Sequence, residues 1–423
     1  MNLPDDHPQR LALNAEIHAR PPPPLAAPCK ISYLVMLTDT QTAADEWQHL
    51  QQLASATVFA AQPPSYYVLE LPEARVIWER HTEFSRYTVI TEAVLGEGAN
   101  ALDQLSAKWL RGLSGELFLL THCDLVISQG LEADLQLATE RFVGRDFSGS
   151  QIADGGAALF TDFDIDATGS NYCLVTDSSM TPLQAGRNVV RLLEIYTYWL
   201  MALLAFPVAK RLLPELADRE RHVRTLGLKL TLARTAAQES ELLAELTRLE
   251  AELSERTVAN DYRFSAAQAY YDLVQQRIID LRELRIESLQ TIAEFSRRRL
   301  APAMQTCRSV VTRQAALSAR TSRVARLLAT RADLSVQSQN QKVLASLDRR
   351  AAIQLRLQET VEGLSIAAIT YYTVGLVKYA AEAAYAGGIP IQKEVIVGVA
   401  IPLVLIVVAL AIRRVRRRLE QEA

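Results

Sequence analysis

In "LNAEIHARPPPPL" (Leu13–Leu25), Glu16, His18 and Arg20 stand at every second position. A carboxylate, an imidazole and a guanidinium so close together are the parts of an acid–base and anion-binding site. The stretch also reads as a short helix and its end. Pro21 cannot continue a helix and pushes Arg20 toward an extended conformation. The four prolines then make a stiff polyproline segment. At about 100° per residue, Glu16 and His18 lie about 200° apart on an intact helix and cannot act on one atom. The helix-end reading fits better. A second arrangement, "ERHTEF", sets His81 between Glu79 and Glu83 at a hairpin tip. Two carboxylates there would raise the histidine pKa, although a plain turn is the simpler account. His18, Arg20, His81 and Glu83 are therefore the catalytic candidates.

Other patterns point away from chemistry. "DFDIDATG" begins like a calcium loop with Asp162, Asp164 and Asp166, but Ala167 and Cys173 occupy the positions that need Gly and Glu. The alternation instead predicts three aspartates on the solvated face of a strand. "HCD" (His122–Asp124) reads as a strand start with Cys123 turned away from both neighbours. Cys29, Cys123, Cys173 and Cys307 are far apart, with no C-x-x-C pair and no zinc spacing, and so read as free thiols in a reducing compartment. No metal site and no cofactor is expected. Nucleotide-binding glycine loops, G-x-S-x-G and H-E-x-x-H are absent from the sequence.

The elements that must carry these residues fall into distinct regions. The net charge of −3 hides an asymmetry: residues 1–180 hold 24 acidic and 10 basic side chains, the remainder 24 and 35. The acidic first part argues against a nucleic-acid partner. Within it, alternating β-branched runs predict strands at residues 31–37, 66–71, 74–80, 84–90, 115–120, 123–128, 157–166 and 172–177. Helices fill "DTQTAADEWQHLQQLA" and "EADLQLATERFVG". Residues 1–180 are thus expected to form an α+β cytosolic domain. From 181 to 360, Ala, Leu, Glu, Gln and Arg dominate, which predicts long antiparallel helices forming a coiled-coil-like stalk. Leu242, Leu246, Leu249 and Leu253 keep heptad spacing, as does the run from Ala267 to Phe295. Turns are expected near Asn260–Asp261 and near Pro302. "IYTYWLMALLAFPVA" (Ile195–Ala209) is too short for a span and reads as a buried core helix.

The last part predicts a two-helix transmembrane hairpin. "VIVGVAIPLVLIVVALAI" (395–412) is 18 residues without a charge, close to the about 20 a spanning helix needs. The basic tail at 413–423 follows. Arg413, Arg414, Arg416, Arg417 and Arg418 orient this end toward the cytoplasm. Residues 361–386 form the first span, and Gly387 to Glu394 a short external loop. Along that span Tyr371, Tyr372, Thr373, Lys378 and Glu382 are the polar groups that a pore would use. Interfacial tyrosines and a snorkelling lysine explain them equally. The N-terminus has no basic region followed by an apolar run, so no signal peptide is expected.

Four stretches carry a resemblance: "LNAEIHARPPPPL", "WERHTEFSRYT", "MTPLQAGRNVVRLLEIYTYWLMALLAFPVA" and "AIQLRLQETVEGLSIAAITYYTVGLV". Together they resemble a bacterial family of predicted membrane-anchored proteins known only as a domain of unknown function. That resemblance implies a cytosolic domain, helices and a C-terminal anchor in the inner membrane, and it carries over no catalytic residue. The architecture is also similar to that of CorA-type cation channels, but "AYAGGIP" stands where their Gly-Met-Asn signature would be. The leading expectation is a membrane-anchored structural or regulatory protein, multi-pass, with both termini cytoplasmic. Its partners would be the lipid bilayer and further copies of itself. An oligomeric channel or transporter subunit is the alternative, and an enzyme built on the His18, Arg20 and His81 region the third.

Overall fold

The computed structural model describes residues 6–39, 42–53, 63–92, 98–387 and 392–422. Within these, the side chains of residues 12, 16, 43, 385, 393 and 415–422 lie outside the description. Two compact units emerge, Met1–Lys229 with Glu245–Arg323, and Leu230–Ala244 with Val324–Ala423.

The first unit is an α/β sheet domain followed by long helices. Its sheet has nine strands: β1 (Cys29–Leu37), β2 (Tyr66–Glu70), β3 (Arg75–Arg80), β4 (Phe84–Thr91), β5 (Glu116–Ile127), β6 (Ser148–Ile152), β7 (Ala157–Thr161), β8 (Asn171–Asp177) and β9 (Leu284–Arg285). The order is β2-β3-β4-β1-β5-β8-β7-β6-β9, and every pairing is antiparallel except β5 with β8. Side chains alternate across it. Val76 and Trp78 on β3 and Tyr87 and Val89 on β4 enter one apolar core with Trp47, Leu50 and Trp109. These last three come from α2 (Ala43–Gln51) and α3 (Ala107–Arg111). A second cluster joins Phe160 and Leu174 to Ala138 of α4 (Leu131–Arg141) and to Ile286.

The helix α5 (Pro182–Leu203) also packs on the sheet. Thr181 caps it through a reciprocal box with Gln184, and Pro182 occupies its first turn. The Thr197 hydroxyl meets the Tyr33 hydroxyl at 2.8 Å, and Tyr196 meets Thr161. Ile195, Met201 and Ala202 are buried, as expected of a core helix. Next come α6 (Ala205–Leu232), α7 (Ala236–Leu281), α8 (Ile292–Ala386) and α9 (Lys393–Glu422), while α1 (Arg10–Ile17) opens the chain.

Several expectations change. Residues 115–120 and 123–128 are one strand, β5, so His122 lies mid-strand. β7 ends at Thr161, and the three aspartates sit in the following loop rather than on a strand face. Phe163 has positive φ there, and the Asp166 carboxylate accepts the Thr168 amide at 2.8 Å. No turn forms at Asn260–Asp261: α7 runs through, and the Asn260 amide folds back onto the Arg256 carbonyl at 2.7 Å. Pro302 likewise lies inside α8, between buried Leu300 and Met304. The true break is at residues 282–291, where β9 joins the sheet edge beside β6. It interrupts the heptad run, whose buried positions on α7 end at Leu281. Leu246, Leu249 and Leu253 are buried within a single chain.

In the second unit, Arg331 pairs with Glu239 at 2.7 Å. The α8 residues from 332 to 361 are almost continuously exposed. The expected loop turn at Gly388 and Pro390 lies outside the described residues.

Candidate functional site

The polyproline segment after Arg20 is fixed at three points. The Tyr66 hydroxyl donates to the Pro21 carbonyl at 3.3 Å, and the Leu25 amide donates to the Pro182 carbonyl at 2.9 Å. Between them Gly186 of α5 presses on the Pro23 backbone, where a methyl group would fall on the carbonyl oxygen. Under this strap lies a cavity of about 370 Å³. Strand alternation supplies one wall: Ile77, Glu79, Arg86 and Thr88 point into it, opposite to the apolar core. A polar stripe on α5, Arg187, Arg191, Glu194 and Tyr198, supplies another, and Arg277 and Asp280 of α7 complete it. Three of the four stretches singled out in the sequence therefore meet at one cavity.

Its floor is a buried ion network. Arg86 pairs with Glu79 and, at 3.2 Å, with Glu194. Burial works against the Arg86 charge, but Tyr33, Glu79 and Glu194 outweigh it and hold its pKa well above the arginine norm. Arg277 pairs with the other Glu194 oxygen and reaches Asp280 at 3.6 Å. Arg191 instead donates to neutral oxygens, the Asn188 side chain at 3.3 Å and the Asp280 carbonyl at 3.2 Å. Burial, together with Arg187, Arg277 and Arg282, holds its pKa below the usual value against the pull of Asp280.

The sequence of the chain matches a family model. The model, described as a protein of unknown function (DUF3422), covers residues 5–419. The chain belongs to this family. No curated protein matches it.

In this DUF3422 protein, Arg20 and His81, 61 positions apart in sequence, line the same cavity and the adjoining one of about 590 Å³. His81 does not have a raised pKa. Burial first, then Arg86 and Arg20, lower it to about 3, because Glu79 turns to Arg86 and Glu83 turns to Arg263 and the Tyr270 hydroxyl. The neutral ring stacks on Phe84 at 4.5 Å, and its buried Nε2 has no hydrogen-bond partner among the described residues. His18 lines neither cavity; its Nδ1 lies 2.9 Å from the Asn14 carbonyl oxygen. The Glu16 side chain lies outside the described residues. Reasoning from sequence missed Arg86, Arg187, Arg191, Glu194 and Arg277. The signal for three of them was present: Arg187, Arg191 and Glu194, with Tyr198 beyond them, keep 4-3-4 spacing along one face of the helix.

A separate cavity of about 690 Å³ borders β5. There the Ser32 hydroxyl meets His122 Nδ1 at 2.8 Å, and the Tyr172 hydroxyl donates to Asp124 at 2.7 Å. Burial lowers the His122 pKa, opposed by Asp124, Asp166 and Asp103. Lys30, Asp103 and Asp166 are already engaged with Ala99, Asn100 and Thr168. Among the described residues, no group of three or more His, Cys, Asp or Glu is placed to hold a metal ion. All four cysteines are buried free thiols.

Toward the C-terminus, Tyr371, Tyr372, Lys378 and Glu382 are exposed on α8, and the Thr373 hydroxyl donates to the Ile369 carbonyl at 2.8 Å. Arg413 and Arg414 are exposed on α9. The side chains of Arg416, Arg417 and Arg418 lie outside the described residues. Among the described residues, three helical stretches are long and apolar enough to cross a membrane: Pro182–Leu232, Ile292–Ala384 and Glu394–Arg414.

Proposed function

We propose that this protein is a structural or regulatory component tethered to the bacterial inner membrane. Residues 361–386 and 395–412 form its membrane hairpin, and the sheet domain works at the cytoplasmic surface. One observation carries the reading. The apolar window in Pro182–Leu232 is 67% buried within the protein, whereas those in Ile292–Ala384 and Glu394–Arg414 are each 6% buried. The first has found its apolar surroundings inside the fold. Leu403, Leu405, Val407 and Leu410 face outward instead, and an exposed apolar surface of this extent calls for a lipid environment. Arg413 and Arg414 beyond it support a cytoplasmic C-terminus.

The tether is tested by extracting membranes from expressing cells with alkaline carbonate. The full chain should stay with the membrane and be released only by detergent, and deletion of residues 393–423 should increase extraction. Full release of the intact chain by carbonate would refute the tether. Further copies of the chain are the expected partners. Light scattering in nanodiscs counts them, and a strict monomer would remove self-association.

A further inference from the structure

The cavity under the polyproline strap holds five arginines against three carboxylates. The network on its floor accounts for the acids: Glu79 and Glu194 flank Arg86, and Arg277 bridges Glu194 to Asp280. Arg187 and Arg191 remain at the rim, four residues apart and so on one face of α5. Arg191 donates to the neutral oxygens of the Asn188 side chain and the Asp280 carbonyl. Arg20 enters from the strap, on a different segment of the chain. Arg191 is half-buried and Arg187 and Arg20 are exposed at the mouth; guanidinium groups lining one cavity repel one another, and an anion between them relieves that repulsion. Their planar forks suit the paired oxygens of phosphate or carboxylate. Arg187 and Arg191 on one helix face offer two such forks, which suits the three oxygens of a phosphate better than a single carboxylate. His81 adds a second sign of an unfilled role: a buried ring nitrogen without a partner among the described residues, on a residue that lines the same cavity. Tyr66 and Tyr198 give the walls aromatic surface for a small organic body, and the volume falls within the range of small-molecule sites.

We propose that this cavity binds a phosphate dianion, free or as the monoester of a small molecule, with Arg187, Arg191 and Arg20 as its ligands. The inference concerns the first unit alone and stands whether or not the C-terminal helices enter a bilayer.

The test uses the full chain purified in a non-ionic detergent. Inorganic phosphate and glycerol 3-phosphate are titrated calorimetrically at constant ionic strength. Saturable binding of at least one is expected, weakened tenfold or more in the Arg187→Gln/Arg191→Gln variant and unchanged in Arg219→Gln, which lies outside the cavity. Arg187→Gln alone, at an exposed position, carries the test if the double variant folds poorly. Tighter binding of glycerol 3-phosphate than of phosphate assigns the site to a monoester, and the reverse assigns it to free phosphate. Competition by dispersed phosphatidic acid identifies a lipid headgroup as the source; no competition identifies a soluble one. The proposal is overturned if neither probe saturates, if the Arg187 and Arg191 variants bind as the unaltered protein does, or if succinate binds as tightly as either phosphate probe.

Discussion

Gly186 lies against the carbonyl oxygen of Pro23 so closely that even a methyl group has no room between them. The contact joins a segment at the start of the chain to a helix more than 160 residues later, and it forms the roof of the arginine-lined cavity. A glycine here serves close approach rather than an unusual backbone angle, since it sits within regular α5.

Gly186→Ala should therefore destabilise the protein by about 1–3 kcal/mol, the usual cost of overpacking. It should also speed proteolytic cleavage near Arg20. Gly227→Ala is the contrast. Nothing lies within 4 Å of its added carbon, and removing a helical glycine should stabilise by about 1 kcal/mol. Urea melts of the two variants should move in opposite directions.

Arg86→Ala removes the ion-pair partner of buried Glu79 and one of the two that hold Glu194, whose other partner is Arg277. The expected loss is about 3–5 kcal/mol, the cost of breaking a buried ion pair from one side. Adding Glu79→Gln to Arg86→Ala should recover part of it. A double variant no more stable than the single one would show that the cost is lost packing rather than stranded charge.

His81 should make stability depend on pH. Its folded pKa, about 3, lies below the ordinary 6.5. As pH falls between these values, the unfolded chain takes up a proton that the folded one refuses. The neutral-ring advantage is complete above pH 6.5 and shrinks toward pH 3, by about 1.4 kcal/mol per pH unit across that window. His81→Phe keeps an aromatic ring beside Phe84 and should remove this slope. Melts from pH 4 to 7 on both proteins would show it as a difference between two curves.

Leu405→Arg places a charge near the middle of the uncharged run, at a cost of about 2.5–3.5 kcal/mol for a spanning helix. The variant should leave the membrane fraction in part, while the sheet domain keeps its melting behaviour. Unchanged membrane retention would count against a span at this position.

Most strands of the first unit were legible because each shows its own apolar run; β1 and β4 start or end within two residues of their expected bounds, whereas β6 (Ser148–Ile152), made of small and polar residues up to Ile152, was not expected. β9 was not legible. Two residues carry no period, and its partner β6 lies more than 130 positions away. Asn260 and Pro302 misled for a different reason. Both are turn-formers by local preference, and the buried flanks on either side overrode that preference. The cavity was half visible. Arg20 and His81 drew notice as reactive residue types, but their meeting depends on the strap crossing α5. The carboxylates around His81 misled because nearness in sequence said nothing of which cation each would choose. Glu83 chose Arg263, 180 positions on.

The place of β9 at the sheet edge bears on how the chain is made. β6 leaves the ribosome with β7 on one side, yet its other edge stays bare until Leu284 and Arg285 emerge. At the usual pace of elongation this interval is on the order of ten seconds. Throughout it the nascent sheet presents an unpaired strand, the kind of edge that recruits foreign strands. The two residues of β9 thus act as a late seal on this edge, set in place only once α7 has been synthesised in full.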